Sequence, residues 1–528
     1  MWCIERAALG FALLAAFHVA AVNVTVDHET EFQTIEGFGA HGAQNVWWSD
    51  GPFATPSFVT TVVDELGLTI SRNEFYPDFE PLNENGDAFS MDFSAFNFDG
   101  QFVGKQKEWI EALKAKAGQS GEPIKFIATY WSPPFWMKTN MHHHGGSLKS
   151  IARDELAEYA IATVRAYKEI CNVDLYALSM QNELAFSQPF NSCVYTPESY
   201  RDMIKVVGPR LHDVYPDIKL FGPEDMLSAW TNRAFPGLLM ADTLSRRQMW
   251  AVAVHGYEDG TNPTPSSLAP KAWAKAYSNM QTVGKPLWMT ETSGYSNDWD
   301  GARGVGEAIF EALKYGHVSA WVWWQLAGSH TAGEILMPRG EKGKLFYAAK
   351  QYFRYIRPGA VMIDVNADDS EVFVAGFHHK HNNTLTIVIL NWSSSSKDIT
   401  LSGQNLPSFT SYRTSSSDDC TNTGTVTGSV TLPANSITTL FGTGYEPPTT
   451  ATALRSGSRP SVGAVRAEVF GIDGRLLRVI DRVILNADNA FAWDGRTRSG
   501  RVAAGVYCAR VTDRAGRAGR ASATVFGR

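Results

Sequence analysis

At 528 residues the chain is too long for one domain, and its 44% apolar and 12% aromatic content is that of a folded protein with a large core. A net charge of −7 argues against nucleic acid as the main partner. Beyond the N-terminus no run reaches the roughly 18 apolar residues that a membrane span requires.

Residues 1–21 have the layout of a secretory signal peptide. Arg6 precedes the apolar stretch Ala7 to Ala16, and Val19, Ala20 and Ala21 offer small residues for cleavage, although Glu5 weakens the positive start. Cys3 would leave with that segment. The remaining Cys171, Cys193, Cys420 and Cys508 are scattered, without a Cys-x-x-Cys pair, so neither a zinc site nor a disulfide framework is indicated. Residues 22–36, beginning Val22-Asn-Val-Thr-Val, read as a strand that joins a β-sandwich formed later in the chain.

Eight short apolar segments follow: Thr34–Gly39, Thr69–Glu74, Ile124–Trp131, Leu175–Glu183, Ile218–Glu224, Trp250–Tyr257, Pro286–Glu291 and Ser319–Leu326. Between them lie helical patterns such as the one from Arg153 to Arg165, with apolar residues at intervals of three and four. Strand–helix alternation repeated eight times predicts a (β/α)₈ barrel over residues 37–357. After Pro358 the texture changes to short alternating strands with Ser-, Asn- and Gly-rich turns, which predicts a side β-sandwich over 358–444. A Pro-, Thr- and Ser-rich linker is expected at 445–464. A small, Arg-rich, all-β unit is expected at 465–528. Its basic character suits either an anionic surface or plain solubility.

Two glutamates stand out. Glu183 closes the fourth apolar segment and Glu291 the seventh, where a barrel presents its catalytic groups. Singly, a strand-end acid is as readily a structural partner for an arginine. As a pair in this setting they point to glycoside hydrolysis, which uses one carboxyl as acid/base and one as nucleophile. Asn182 is placed to bond a sugar 2-hydroxyl. Arg72, ending the second segment, could hold the nucleophile ionised or form a plain ion pair. His255 and Tyr257 end the sixth, where the tyrosine hydroxyl can also reach the nucleophile, and Arg72, His255 and Tyr257 are all expected among the residues that bind the substrate. Trp131 and Trp324 offer flat walls for sugar rings or core packing, as do others of the sixteen tryptophans. His142, His143 and His144 are adjacent on a loop and lack a carboxylate at ligand spacing, so no metal site is expected. Asn391-Trp-Ser fits a glycosylation acceptor, a triplet common by chance.

Glu36–Gly39, Trp131–Lys138, Ala177–Glu183, Val254–Tyr257, Leu287–Glu291 and Trp321–Trp324, in this order, resemble glycoside hydrolase family 30 from about Glu36 to Gly444. The resemblance implies a retaining mechanism with Glu183 as acid/base and Glu291 as nucleophile, and no metal or organic cofactor. It implies that Asn182, Trp131, Tyr257 and Trp324 line the sugar subsite at the cleaved bond. One departure is Leu184, where a proline often follows the Asn-Glu pair. The wording is most similar to bacterial xylanases of the family, which makes an endo-β-1,4-xylanase-type enzyme the first expectation. Alternatives are a β-1,6-glucanase, a galactanase or an exo-acting, glucosylceramidase-like β-glycosidase. A non-catalytic carbohydrate-binding surface protein is the alternative of a different class. The segment Gln325–His330 has no Arg or Lys where members that select glucuronic acid side groups carry basic residues. The stretch Trp493–Tyr507 is similar to small Ig-like C-terminal domains, several of which direct export to the bacterial surface. The expected partners are therefore an oligosaccharide or polysaccharide substrate and, through the tail, secretion machinery or the cell surface.

Overall fold

The computed structural model describes residues 21–42, 55–100, 106–227, 235–257, 270–281, 283–328 and 333–447, with strand segments between residues 465 and 525. The expected signal segment 1–21 lies, apart from Ala21, outside the described residues, as does most of the expected linker. Two compact units divide the chain, residues 1–447 and 448–528.

In the first unit the chain opens with β1 (Val22–Thr34) and then forms eight parallel strands that close a barrel in chain order. These are β2 (Gly37–His41), β3 (Ile70–Glu74), β4 (Lys125–Thr129), β5 (Ala177–Ser179), β6 (Lys219–Met226), β7 (Met249–His255), β8 (Leu287–Glu291) and β9 (Val318–Trp323). Inside the barrel, Ala177, Ala251, Ala253 and Ala320 leave room for Phe221 and Trp288, whose rings meet at 5.3 Å. Small residues facing large ones fill the lumen, so the barrel is a packed core rather than a pore. The approach of β2 to β3 requires glycine at Gly39, where a Cβ would lie 2.1 Å from the Ile70 carbonyl oxygen.

Outside the barrel, the helix Arg153–Cys171 buries Leu156, Tyr159, Ala160, Thr163 and Tyr167 along one stripe. Asn172 ends it in the left-handed conformation, which asparagine tolerates. The next helix, Pro197–Val214, starts on a Thr196 capping box with Pro197 in its first turn. A short ladder, β10 (Ala327–Gly328) with β11 (Met337–Pro338), follows β9.

The sandwich comprises β12 (Val361–Ala367), β13 (Val372–His379), β14 (Thr384–Asn391), β15 (Lys397–Ser402), β16 (Phe409–Thr414), β17 (Thr421–Val426), β18 (Ser429–Leu432) and β19 (Ser436–Thr443). β1 lies between β12, antiparallel, and β15, parallel. Val22, Val24 and Val26 enter a core that includes Ile363, Ile387, Ile399 and Leu440.

One expectation is corrected in this region, and one chance motif is accounted for. Tyr445 is not the start of a free linker. It is 1% exposed, its N–H donates to the Asn383 carbonyl at 2.9 Å, and its ring packs on His378. Nor is Asn391 a glycosylation acceptor. Its amide is fully buried and donates to the Ser395, Leu432 and Pro433 carbonyls, which closes the strand end.

The second unit holds β20 (Val465–Phe470), β21 (Leu476–Val483), β22 (Ala490–Ala492), β25 (Gly505–Thr512) and β26 (Ala518–Val525) in one sheet. The two-residue strands β23 (Arg496–Thr497) and β24 (Gly500–Arg501) pair separately. Truncation after Pro447, where the first unit ends, is expected to leave kcat on a soluble substrate and the thermal midpoint nearly unchanged. Loss of most of the activity would mean that the second unit contributes to the catalytic one.

Two buried carboxyls make a further test possible. Burial and the neighbouring Glu158, Glu155 and Glu84 push Glu80 up to about 9. Burial and Glu84 push Glu158 up to about 7. The folded state then keeps protons that the unfolded chain releases near 4.5, so stability falls as pH rises from there toward 9. Glu80→Gln is expected to raise the Tm by about 2 °C or more near pH 8 and to leave it unchanged near pH 4. A Tm equally altered at both pH values would contradict that protonation.

Candidate functional site

The carboxyl ends of the barrel strands converge on one cluster, and irregular backbone aims its side chains. The fourth barrel strand was expected to run to Glu183 but stops at Ser179. Beyond it the chain is held by individual bonds rather than a ladder. The Asn182 N–H donates to the Tyr130 carbonyl at 2.7 Å, the Gln181 amide to the Trp131 carbonyl at 2.7 Å, and the Glu183 N–H to the Glu224 carbonyl at 3.2 Å. Glu183 itself is left-handed, with φ +43°. Such strain in a non-glycine residue persists only where its surroundings over-determine it.

Register irregularities do similar work on the neighbouring strands. The β6–β7 pairing breaks step between Pro223 and Asp225, leaving Glu224 as the extra residue. The β7–β8 pairing breaks step so that His255 faces Glu291. A one-residue bulge re-aims side chains that regular alternation would send elsewhere.

The result is a compact array of charge. Arg72, fully buried, donates from Nη1 to Glu291 Oε2 at 2.6 Å and from Nη2 to Asn182 Oδ1 at 2.9 Å. Its Nη2 also pairs with Glu224 Oε1 at 3.0 Å. The Tyr257 hydroxyl donates to Glu291 Oε1 at 2.9 Å. Glu183 accepts from His255 Nδ1 at 3.0 Å on one oxygen and from the Gln188 amide at 2.9 Å on the other. His255 also lies 3.7 Å from Glu291 and 3.8 Å from Glu224, ion-pair contacts too long for hydrogen bonds. Carboxylate oxygens of Glu183 and Glu291 and a ring nitrogen of His255 all fall within 4.8 Å of one another.

The electrostatics follow from this packing. Burial disfavours a charged His255, but Glu291, Glu183 and Glu224 outweigh it and push the imidazole up to about 10. Burial likewise opposes ionised Glu224, yet Arg72 and His255 bring it down to about 2. Burial pushes the Glu291 carboxyl up, with His255 and Arg72 opposing and Glu183 reinforcing that shift. Two cations thus face three carboxylates, and the cluster is neutral when Glu183 and Glu291 together hold one proton. His41, pushed well down by burial and by Arg72, is neutral beneath the tryptophans.

Around this cluster Trp131 stacks under the Arg72 guanidinium at 4.7 Å and lies 5.7 Å from Trp324. His41 packs 4.4 Å from Trp324 and fixes that wall from below. The structure therefore brings together Glu183, Glu291, Asn182, Tyr257, Trp131 and Trp324. Arg72 and His255 join them, but not as groups that touch a sugar. Both have wholly buried side chains, and their donors already face carboxylates, so the expectation that they bind substrate is corrected to one of holding Glu183, Glu224 and Glu291.

Glu224, Gln188 and His41 were missed as site residues. Glu224 was visible as the acid closing the fifth apolar segment. Gln188 lies in a loop whose sequence gives no sign that it reaches Glu183.

Among the described residues, Glu183, His255 and Glu291 form the one grouping whose spacing could hold a metal ion. Its His255 Nδ1 lies 3.0 Å from Glu183 Oε1, and the surrounding carboxylates favour the protonated ring, which donates there. His142, His143 and His144 are exposed and sit edge-on to one another, and the His142 ring accepts from the His144 N–H.

Comparison with known proteins matches residues 70–336 to the glycosyl hydrolase family 30 TIM-barrel domain and residues 359–440 to the glycosyl hydrolase family 30 beta sandwich domain. The chain is 26% identical over 327 residues to mouse lysosomal acid glucosylceramidase, covering 56% of this chain and 61% of that protein. It is 25% identical over 443 residues to a Bacillus subtilis glucuronoxylanase, covering 80% of this chain and 92% of that one. A family 30 xylanase structure from Clostridium acetobutylicum superposes with a TM-score of 0.64 at 23% identity, over 80% of this chain and 99% of that one, a likeness of fold.

Proposed function

Because the chain belongs to glycosyl hydrolase family 30, and is a retaining O-glycosyl hydrolase, we propose that Glu291 is its nucleophile and Glu183 its acid/base. The observation behind this reading is the approach of the two carboxyl groups to within 4.8 Å. Retaining enzymes hold them about 5 Å apart, whereas inverting enzymes leave roughly 6.5–9.5 Å for a water between them.

The charge balance supplies the mechanism. Arg72 and Tyr257 hydrogen-bond and orient Glu291 for attack, and Glu183 is the group that protonates the leaving oxygen. When Glu291 attacks the anomeric carbon it loses its charge, and Arg72 and His255 are left with a surplus positive charge. That surplus stabilises Glu183 as an anion just as it gives up its proton. Glu183 then accepts a proton from the water that cleaves the glycosyl-enzyme bond, and the array returns to its starting state. Asn182, with Oδ1 fixed by Arg72, presents its amide to the sugar 2-hydroxyl, and Trp131 and Trp324 face the ring.

The substrate we assign is plant cell-wall polysaccharide of the xylan type, cut internally at β-1,4 bonds by a secreted bacterial enzyme. The near end-to-end match to the glucuronoxylanase supports this. The similar identity to glucosylceramidase keeps an exo-acting β-glucosidase as the second reading, and the chain spans only 61% of that protein. Among the described residues no helix is long and apolar enough to cross a membrane. The unit from residue 448 is assigned to export or surface attachment. Product analysis on glucuronoxylan, arabinoxylan, β-1,6-glucan and β-1,6-galactan tests the assignment. Xylo-oligosaccharides of several lengths are expected, and release of monosaccharide alone would favour the second reading.

A further inference from the structure

The opposite face of the barrel bears two adjoining depressions that this chemistry does not use. At the amino ends of β5 to β8, cavities of about 460 and 510 Å³ share the wall Pro216–Lys219. Tyr176 lines the first cavity and Trp250 the second. Trp250 is the second residue of β7 and is 41% exposed, while the strand's other residues are buried. Along β6 the five residue steps from Lys219 to Glu224 put this face about 16 Å from the catalytic cluster.

Cations converge on the same place. Lys219 stands 4.6 Å over the Trp250 ring and 3.7 Å over the Tyr176 ring. Arg247 and Lys285 line the Trp250 cavity. Lys285 donates to the Met249 carbonyl at 2.6 Å. Among the described residues, none of Lys219, Arg247 and Lys285 forms an ion pair, and Asp217, the one carboxylate in that cavity's wall, lies beyond ion-pair reach of all three. In a chain of net charge −7 this is a local excess of positive charge. Burial pushes both Lys219 and Lys285 down; Glu36 and Asp217 partly offset this at Lys219, whereas Arg246 adds to it at Lys285, where an incoming anion would bring most relief.

We propose that this face is an auxiliary binding site for an acidic saccharide, a uronate-bearing oligosaccharide. Arg247 and Lys285 would take the carboxylate through charge-assisted hydrogen bonds. Trp250 would take a sugar face, the usual partner of an exposed aromatic ring, while Tyr176 is held under Lys219 and Lys125. Cations without an ion-pair partner beside an exposed tryptophan suit a ligand that is both anionic and ring-shaped. The site would hold an acidic polysaccharide without cleaving it, on the side away from the mouth. It rests on the polysaccharide reading only for the source of its ligand.

The experiment uses the full chain carrying Glu291→Gln, so that the polysaccharide survives, in native gels containing glucuronoxylan or neutral arabinoxylan. Retardation by glucuronoxylan is expected to weaken about tenfold in Kd on adding either Trp250→Ala or the pair Arg247→Ala and Lys285→Ala. The cation pair should leave retardation by arabinoxylan unchanged. In the otherwise native chain, both sets should keep kcat/KM on a small aryl glycoside within about twofold, because the site does not touch the reacting bond. Unchanged retardation would overturn the proposal. So would equal loss on both polymers with the cation pair, or displacement by inorganic phosphate as readily as by glucuronate. Exposed Arg247 and part-exposed Lys285 can be removed without opening a core, so this pair decides the matter if Trp250→Ala unfolds. A chain that is retarded as expected but cleaves no xylan would refute the assigned substrate and leave this site standing.

Discussion

Glu291→Gln is expected to lower kcat at least about 10⁴-fold on every glycoside, activated or not. The amide has nearly the shape of the carboxylate and fills the same space; its oxygen can still accept from Arg72 Nη1, while its NH2 can donate to the Tyr257 oxygen once that hydroxyl turns. What it lacks is the charge and the lone pair that form the bond to the anomeric carbon, so the route through a glycosyl-enzyme closes. The fold should survive. The neutral side chain leaves Arg72 paired with Glu224 at 3.0 Å. Initial rates together with a thermal melt check both halves of the expectation. A folded variant with near-normal kcat would remove Glu291 from the role of nucleophile.

Glu183→Gln is expected to divide substrates by their leaving groups. On natural glycosides, whose departing oxygen needs a proton, the loss should be about 10²–10⁴-fold. On aryl glycosides with acidic phenols the first step should proceed almost unhindered, while the second, lacking its base, slows. A burst of phenol followed by a slow steady state is therefore expected, with a small anionic nucleophile such as azide restoring turnover. Loss of equal size on activated and natural substrates, without a burst, would show that Glu183 is not the proton donor.

The barrel was legible because eight apolar segments separated by helical stripes leave few other architectures. The exact ends of its strands were not. Leu175–Glu183 reads as one extended run, yet only Ala177–Ser179 belongs to the ladder, because Asn182 and Gln181 bond instead to the Tyr130 and Trp131 carbonyls just past β4. Proposing Glu183 and Glu291 as the catalytic pair needed only their places at segment ends. Recognising Glu224 as their silent partner required the break in register between β6 and β7, which depends on two strands at once. The same limit explains His255 and Arg72. Their types and positions suggested sugar contact, and only the packing reveals that they face carboxylates with no exposed surface. Asn391 shows the converse, a local motif overruled by a buried amide that three carbonyls require.

The position of β1 also sets an order of assembly. Val24 pairs with Ala367 on one side and Leu401 on the other, partners more than 340 residues away along the chain. A nascent chain therefore exposes this valine-rich segment throughout synthesis of all eight barrel strands, before either neighbour exists. Contacts of such sequence separation form slowly and leave an unsatisfied strand at risk of the wrong partner. Once in place, β1 works as a clasp. Its far end leads directly into β2, so the sandwich cannot open without pulling on the first stave of the barrel. Heating should accordingly melt residues 22–447 in a single calorimetric transition, although the chain within them builds two architectures.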